Sequence, residues 1–238
     1  MNRFLPILAT LLALSLGLFS PVLAGTDGEK YPDARKIVWD YGYLPQKSVV
    51  TYTFWIHNDS AEPMDVTKIK DGCSCTSSSK IEEPIAPGDS ASIAVTFKSG
   101  RYQGKVRKTT KLYVDGGKEP AYLLEVKADV LGKGKPAGDY RVEPPTVELQ
   151  VSQTRFQLWK TEAFRVTNLG LDAAVLRFVS FPGQIEPLGD TIYGSLLPGT
   201  EMPVGLKTGN ELSGGDHFVT IALEAEDTTL VTVPIKIK

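Results

Sequence analysis

Val50-Thr51-Tyr52-Thr53-Phe54-Trp55-Ile56-His57 puts Val50, Tyr52, Phe54 and Ile56 on one face of an extended chain. Alternation of β-branched and aromatic residues with period two is the pattern of a half-buried strand. Asn58-Asp59-Ser60 ends it with turn chemistry. Working outward, Met64 to Lys70 reads as the next strand, with Met64, Val66 and Ile69 as its apolar members. Pro87-Gly88 marks a turn, and Ile93, Val95 and Phe97 alternate after it. Lys105 to Val114 is a further strand, closed by Asp115-Gly116-Gly117. Tyr122, Leu124, Val126, Ala128 and Val130 alternate in the last strand of this half. Helical periodicity is scarce, so the expected fold class is all-β.

Leu131-Gly132-Lys133-Gly134-Lys135-Pro136-Ala137-Gly138 breaks the pattern and reads as a linker over 132–139. Its glycines suggest hinge freedom. Beyond it the first half recurs. Thr161 to Asn168 echoes Thr51 to Asn58, Pro198-Gly199 echoes Pro87-Gly88, and Gly215 echoes Gly104, at a near-constant spacing of 110 or 111 residues. The final strand, Val231 to Lys238, echoes the one ending near Lys127. A repeat of this length, with short strands and frequent turns, predicts two tandem immunoglobulin-like β-sandwich domains, 25–131 and 140–238. A single large barrel is the competitor, and the central linker counts against it.

The N-terminus reads as a signal peptide over 1–24. Arg3 supplies a positive start, Phe4 to Phe19 is uncharged and apolar, and Pro21-Val22-Leu23-Ala24 offers a cleavage site after Ala24. The apolar run is short for a span, which needs roughly 20 residues. No Cys stands at the exit, which argues against a lipoprotein, and no later segment is apolar enough to insert stably in a membrane. A periplasmic or secreted location is the expectation. With 26 basic and 28 acidic residues there is no cationic surplus of the kind a general nucleic-acid binder shows. A hydrophobic content of 42% is enough for a packed core.

The two cysteines, Cys73 and Cys75, share one loop, so they cannot staple the fold, and the core must stand on apolar packing. Spacing of two in an extended segment puts both sulfurs on one face. Three readings stay open. The pair can close a strained, labile disulfide with a redox role. It can be two small thiols tucked against the core. It can hold Cu(I), or half of a zinc site. His57 and His217 are the only histidines. If Val50–His57 and Met64–Lys70 form a hairpin, His57 lies roughly 20 Å from the cysteines and cannot join them. The spacing is not that of a thioredoxin-like or haem-attachment motif.

No nucleophile elbow, phosphate loop, zinc-protease helix or calcium loop occurs. Glu82-Glu83 reads as a solvated loop. Arg101, Lys105, Arg107, Lys108 and Lys111 form a basic cluster, in which alternation sends Lys105, Arg107 and Lys111 to one face. That face reads as solvated or as edge protection, with a docking patch for an acidic partner as the sharper alternative. Asn58-Asp59-Ser60 also fits a glycosylation acceptor.

Val38-Trp39-Asp40-Tyr41-Gly42, Tyr52 to Asn58, Gly72-Cys73-Ser74-Cys75-Thr76 and Ile85-Ala86-Pro87-Gly88 occur in that order. Together they resemble the bacterial domain-of-unknown-function family fifteen-seventy-three, over about Arg35 to Leu131. That family opens on Phe-Gly and carries a Phe-x-Phe-x-Asn strand, a Ser-Cys-Gly-Cys-Thr loop and an Ile-x-Pro-Gly turn. Here Gly72 stands for the family's Ser, Ser74 for its Gly and Tyr41 for its Phe. The resemblance implies an immunoglobulin-like domain similar to the ASH and major-sperm-protein type, and it assigns no activity.

The expected function is a non-enzymatic interaction or scaffold module of the cell envelope, with a protein partner, no nucleic acid and no cofactor. One alternative is a thiol-redox or copper- or zinc-binding protein acting through Cys73 and Cys75. Another is a pilus-type assembly chaperone, which would present an edge strand such as Tyr122 to Val130. It would need Tyr122, Leu124 and Val126 exposed.

Overall fold

The computed structural model describes residues 30–149, 159–181, 185–208 and 215–237. The segment read as a signal peptide lies outside the described residues. Every element named among them is a strand, and no helix among them is long and apolar enough to cross a membrane. The first half contributes β1 (Arg35–Pro45), β2 (Val49–His57), β3 (Val66–Asp71), β4 (Thr76–Ser78), β5 (Ser90–Lys98), β6 (Gly104–Val114) and β7 (Tyr122–Leu131). The second contributes β8 (Tyr140–Glu143), β9 (Val147–Leu149), β10 (Trp159–Asn168), β11 (Ala174–Ser180), β12 (Ile185–Pro187), β13 (Ile192–Leu196), β14 (Glu201–Thr208), β15 (Gly215–Glu224) and β16 (Thr228–Ile237).

The pairing repeats strand for strand. The ladder β3-β6-β7 recurs as β11-β15-β16, and the sheet β2-β5-β4 recurs as β10-β14-β12, with β8 added beside β10. Each half buries an apolar cluster, and the first also takes in Phe218 from β15. Val50, Phe54, Ile56, Ile93, Val95 and Phe97 belong to the first, and Phe164, Val166, Leu176, Val204, Leu206 and Ile221 to the second. The alternation read from Val50 to Ile56 is the alternation that faces this core, because period-two side chains of one strand share a face.

The expected β2–β3 hairpin does not form. β2 pairs with β5, from Val49 opposite Lys98 to His57 opposite Ser90. β3 lies in the other sheet against β6. The turn after His57 is held by Asn58, and Met64 makes only an isolated bridge to Ile85. The chain therefore crosses to the opposite layer before β3 begins.

One strand ties the halves together. β1 runs parallel to β7 on one side and meets β16 on the other, at Tyr43 opposite Val231. A nine-stranded sheet thus passes through both halves. At the crossing, β1 bulges between Asp40 and Tyr43. Gly42 takes φ +61°, and a Cβ there would lie 2.2 Å from the Leu230 carbonyl oxygen. Thr232 donates to the Tyr41 carbonyl at 2.6 Å, and the Tyr41 and Phe218 rings meet edge to face at 5.3 Å. The hinge freedom expected from the composition of 132–139 is opposed by these contacts, which the linker does not make.

Candidate functional site

Three places bring chemistry-bearing residues together: the cysteine loop, the outer face of β6 and β7, and the cleft between the halves.

Cys73 and Cys75 are bonded to each other, with Cα atoms 5.2 Å apart. The loop is clamped at its base by Asp71, which accepts from Thr110 Oγ1 at 2.7 Å and from Ser78 Oγ at 3.1 Å. Gly72 passes so close to β6 that a Cβ would lie 2.7 Å from the Thr109 carbonyl oxygen, which accounts for glycine where the resembling family has Ser. Downstream, Thr76 N donates to the Cys73 carbonyl at 3.3 Å, and Lys98 N donates to that of Cys75 at 2.9 Å. Both cysteines are half-buried, with Gly72 and Ser74 exposed beside them. Cys75 packs against the first core.

Sequence reasoning missed Tyr102 and Lys108 at this loop. Tyr102 Oη donates to Cys75 Sγ at 3.6 Å, and its ring stacks near Phe97 at 6.4 Å. Gln46 Nε2 fixes the turn that carries Tyr102, donating to the carbonyls of Arg101 at 3.1 Å and Tyr102 at 2.9 Å. Lys108 Nζ lies 4.5 Å from the centre of the Tyr102 ring. The signal for Lys108 was the alternation of β6 itself. Period two sets Lys108 on the face opposite Lys105, Arg107 and Lys111.

His57 is at the wrong end of the sheet to reach the cysteines. It faces Ser90 at the start of β5, whereas Thr76 pairs with Phe97 near its end, about 23 Å away at 3.3 Å per residue. Its Nδ1 contacts Ser90 Oγ at 3.0 Å and its Nε2 contacts Asp59 at 3.2 Å. Among the described residues, no three or more His, Cys, Asp or Glu side chains converge on one point.

Lys105, Arg107 and Lys111 do share a face, but they do not form a bare cationic patch. Glu125, on β7, is buried beneath them and pairs with Lys36 at 3.0 Å, Arg107 at 3.3 Å and Lys127 at 3.7 Å. Lys105 stands opposite Asp129 in the ladder, and Lys111 Nζ lies 4.7 Å over the Tyr31 ring. Asn58 is 1% exposed and its amide donates to the Glu62 and Ile85 carbonyls, so it is no glycan acceptor in this fold.

Tyr122, Leu124 and Val126 are buried, and β7 is paired on both sides, to β6 and β1. This strand is no edge and cannot be donated as the chaperone reading required. The cleft between the halves is lined by Pro45, Leu131, Val142 and Val231, with Lys47, Lys133, Lys135 and Arg141 exposed at its rim and Glu143 beside them.

Residues 33–130 match the family model described as protein of unknown function, DUF1573. The resemblance read from the Val38-to-Gly88 motifs is thereby shown over residues 33–130. No curated protein matches the sequence. Among solved structures, an endo-fucoidan hydrolase of glycoside hydrolase family 107 is 12% identical, over 86% of this chain, with a TM-score of 0.30. This chain spans only 28% of that one. A protein of unknown function from Porphyromonas gingivalis W83 is 8% identical, over 80% of this chain and 97% of its own, at 0.27. The Pseudomonas aeruginosa CupB2 chaperone is 11% identical, over 81% and 96%, at 0.28. Likenesses this weak decide nothing about function.

Proposed function

We propose that this chain, whose residues 33–130 match a family without assigned activity, is a non-enzymatic protein-interaction module of the cell envelope. In this reading two immunoglobulin-like sandwiches, 25–131 and 140–238, flank the segment 132–139. Cleavage after Ala24 delivers the chain to the periplasm or beyond. The repeated strand pairing and the separate apolar clusters support the two-sandwich reading.

The observation that carries the function is the cleft between the halves. An apolar floor from Leu131, Val142 and Val231 lies under a rim of four cations and one carboxylate. Concave, mostly apolar grooves with a few directed charges are where proteins take ligands. This one suits an extended segment with acidic side chains, the cations raising its rate of encounter.

The test is a photo-crosslinking residue at Lys135, in cells, with Lys118 as the control position on the distant β6–β7 turn. The expected result is one acidic protein captured at Lys135, absent at Lys118, and lost when Lys47 and Arg141 are changed to Glu. Equal capture at both positions, or capture indifferent to the charge reversals, would sink the reading. A mature chain that still carries residues 1–24 in the cytosol would remove the envelope location.

A second reading, thiol-redox chemistry at Cys73 and Cys75, is favoured by one specific observation, the Tyr102 hydroxyl on Cys75 Sγ.

A further inference from the structure

Cys73 and Cys75 close a bridge across a sequence separation of 2. A loop so short removes little freedom from the unfolded chain, so the bond contributes less to stability than almost any other disulfide. What distinguishes it is that its two sulfurs are unlike.

Cys75 Sγ packs toward the core and accepts a hydrogen bond from Tyr102 Oη at 3.6 Å. The Lys108 ammonium, over the face of that same ring, adds positive charge on this side of the bond. Cys73 Sγ is less well served: the hydroxyl near it, Thr76 Oγ1 at 3.7 Å, has a single proton to divide between this sulfur and the Cys73 carbonyl at 3.3 Å. Hydrogen bonds and nearby cations stabilise a thiolate over a thiol. In thiol–disulfide exchange the sulfur of lower basicity leaves faster.

We infer that this loop is a thiol–disulfide exchange site for dithiol substrates, in which Cys73 is the sulfur attacked and Cys75 the sulfur that leaves. An incoming thiolate attacks Cys73 Sγ. A new S–S bond forms to the substrate, the Cys73–Cys75 bond breaks, and its electron pair leaves on Cys75, held by the Tyr102 hydroxyl beside Lys108. The substrate's second thiolate then attacks its own sulfur in the mixed disulfide. That step expels Cys73 as a thiolate, which takes a proton from water. The substrate dithiol is oxidised to a disulfide by two electrons, and the Cys73–Cys75 bridge is reduced to a dithiol once Cys75 has also taken a proton from water. The half-exposed position of Cys73, between exposed Gly72 and Ser74, leaves room for the attack. Nothing in this chemistry depends on the interdomain cleft.

The test uses the folded mature chain and reduced glutathione as a monothiol probe. The reaction is quenched with acid, free thiols are alkylated, and the tryptic peptide Asp71–Lys80, which carries both cysteines, is fragmented in a mass spectrometer. Glutathione is expected on Cys73 and the alkyl group on Cys75, in an excess of about tenfold. Tyr102→Phe keeps the ring on Phe97 and should slow the reaction on the order of three- to tenfold while narrowing the bias. Lys108→Met should act in the same direction, with near-ultraviolet circular dichroism reporting that both variants are folded. Equal labelling of the two sulfurs, preference for Cys75, a Tyr102→Phe rate equal to wild type, or a native bridge that dithiothreitol does not reduce would each overturn the inference. The wild-type labelling bias alone decides the matter should either variant fail to fold.

Discussion

Asn58 and Asn168, 110 residues apart in the chain, share four hydrogen bonds in matching positions in the two halves. Asn58 Nδ2 donates to the carbonyls of Glu62 at 2.8 Å and Ile85 at 2.8 Å. Asn168 Nδ2 donates to those of Asp172 at 2.7 Å and Leu196 at 3.1 Å. Each side-chain oxygen accepts from the backbone two residues on, Ser60 N at 3.0 Å and Gly170 N at 2.9 Å. Each backbone carbonyl receives the N–H of the turn glycine, Gly88 or Gly199, at 2.9 Å. The residue that looks like an ordinary turn former is thus the lock at which the chain leaves one sheet for the other. A buried amide is tolerated only when its donors and acceptors are all used, and here they are, twice.

Removing either lock should cost about the same. Asn58→Ala removes two bonds donated to carbonyls that keep Met64 N and Ser60 Oγ as their remaining donors, and it deprives Ser60 N–H of its acceptor, at a cost on the order of 1–3 kcal/mol. Asn168→Ala should match it to within about 1 kcal/mol. Urea unfolding of the two single variants measures this. A variant that loses less than about 0.5 kcal/mol would show its side chain to be replaceable by water.

Gly42 is the contact point of the halves, and the prediction there concerns their coupling. An alanine must hold φ near +61° and place Cβ against the Leu230 carbonyl. The strained dihedral and the forced shift together should cost roughly 2–4 kcal/mol. The β1–β16 junction should loosen, so limited proteolysis within 132–139 should accelerate while each half keeps its core. Unchanged melting and unchanged cleavage in Gly42→Ala would mean that the junction yields without cost.

The strands were legible because each carries its own alternation, and the repeat because Asn58, Gly88 and Gly104 have conformational reasons to recur. Gly88 and Gly199 adopt φ +78° and +71°, and Gly104 and Gly215 are likewise positive. What sequence could not supply was partnership. Nothing local says that β2 pairs with β5 instead of β3, because both partners present apolar alternation and the choice is made by the turn lock at Asn58. The role of β1 as a strand shared by both halves was also invisible, since its single crossing depends on Gly42 meeting Leu230 across the whole chain. The cysteines stood out by type, whereas Tyr102 and Lys108 reach them only after β6 and the turn at Gly100 are placed.

Glu125 organises the charged face, and its variants should separate structure from docking. Its carboxylate is 2% exposed, while Lys36, Arg107 and Lys127 around it are partly solvated. Glu125→Gln removes three charge-assisted contacts, but the cations can turn to water, so a loss of about 1–3 kcal/mol is expected. Arg107→Gln leaves two cations on the carboxylate and should cost less than about 1 kcal/mol, shrinking further as salt rises. Denaturant titrations at low and high salt test both. An Arg107 effect larger than that of Glu125 would place the weight of the cluster on the guanidinium instead.

Tyr41 should make the protein sensitive to alkali. Its ring packs between Trp39 and Phe218, but its hydroxyl is buried with no hydrogen-bond partner among the described residues. Burial, with a smaller contribution from neighbouring Tyr52, pushes its pKa well above the ordinary tyrosine value. The folded state then holds a proton that the unfolded state releases above about pH 10. Stability from this group is complete below that value and falls as pH rises past it, by at most about 1.4 kcal/mol per pH unit. Tyr52, Tyr140 and Tyr193 are raised in the same direction, so removing Tyr41 should shrink the alkaline loss without abolishing it. Tyr41→Phe keeps both ring contacts and deletes the unpartnered hydroxyl. It should raise stability at neutral pH by about 1 kcal/mol and flatten the fall between pH 10 and 11. Thermal melts across that range measure it. An unchanged alkaline slope, or a variant less stable than the wild type at neutral pH, would mean that the hydroxyl finds a partner in solution.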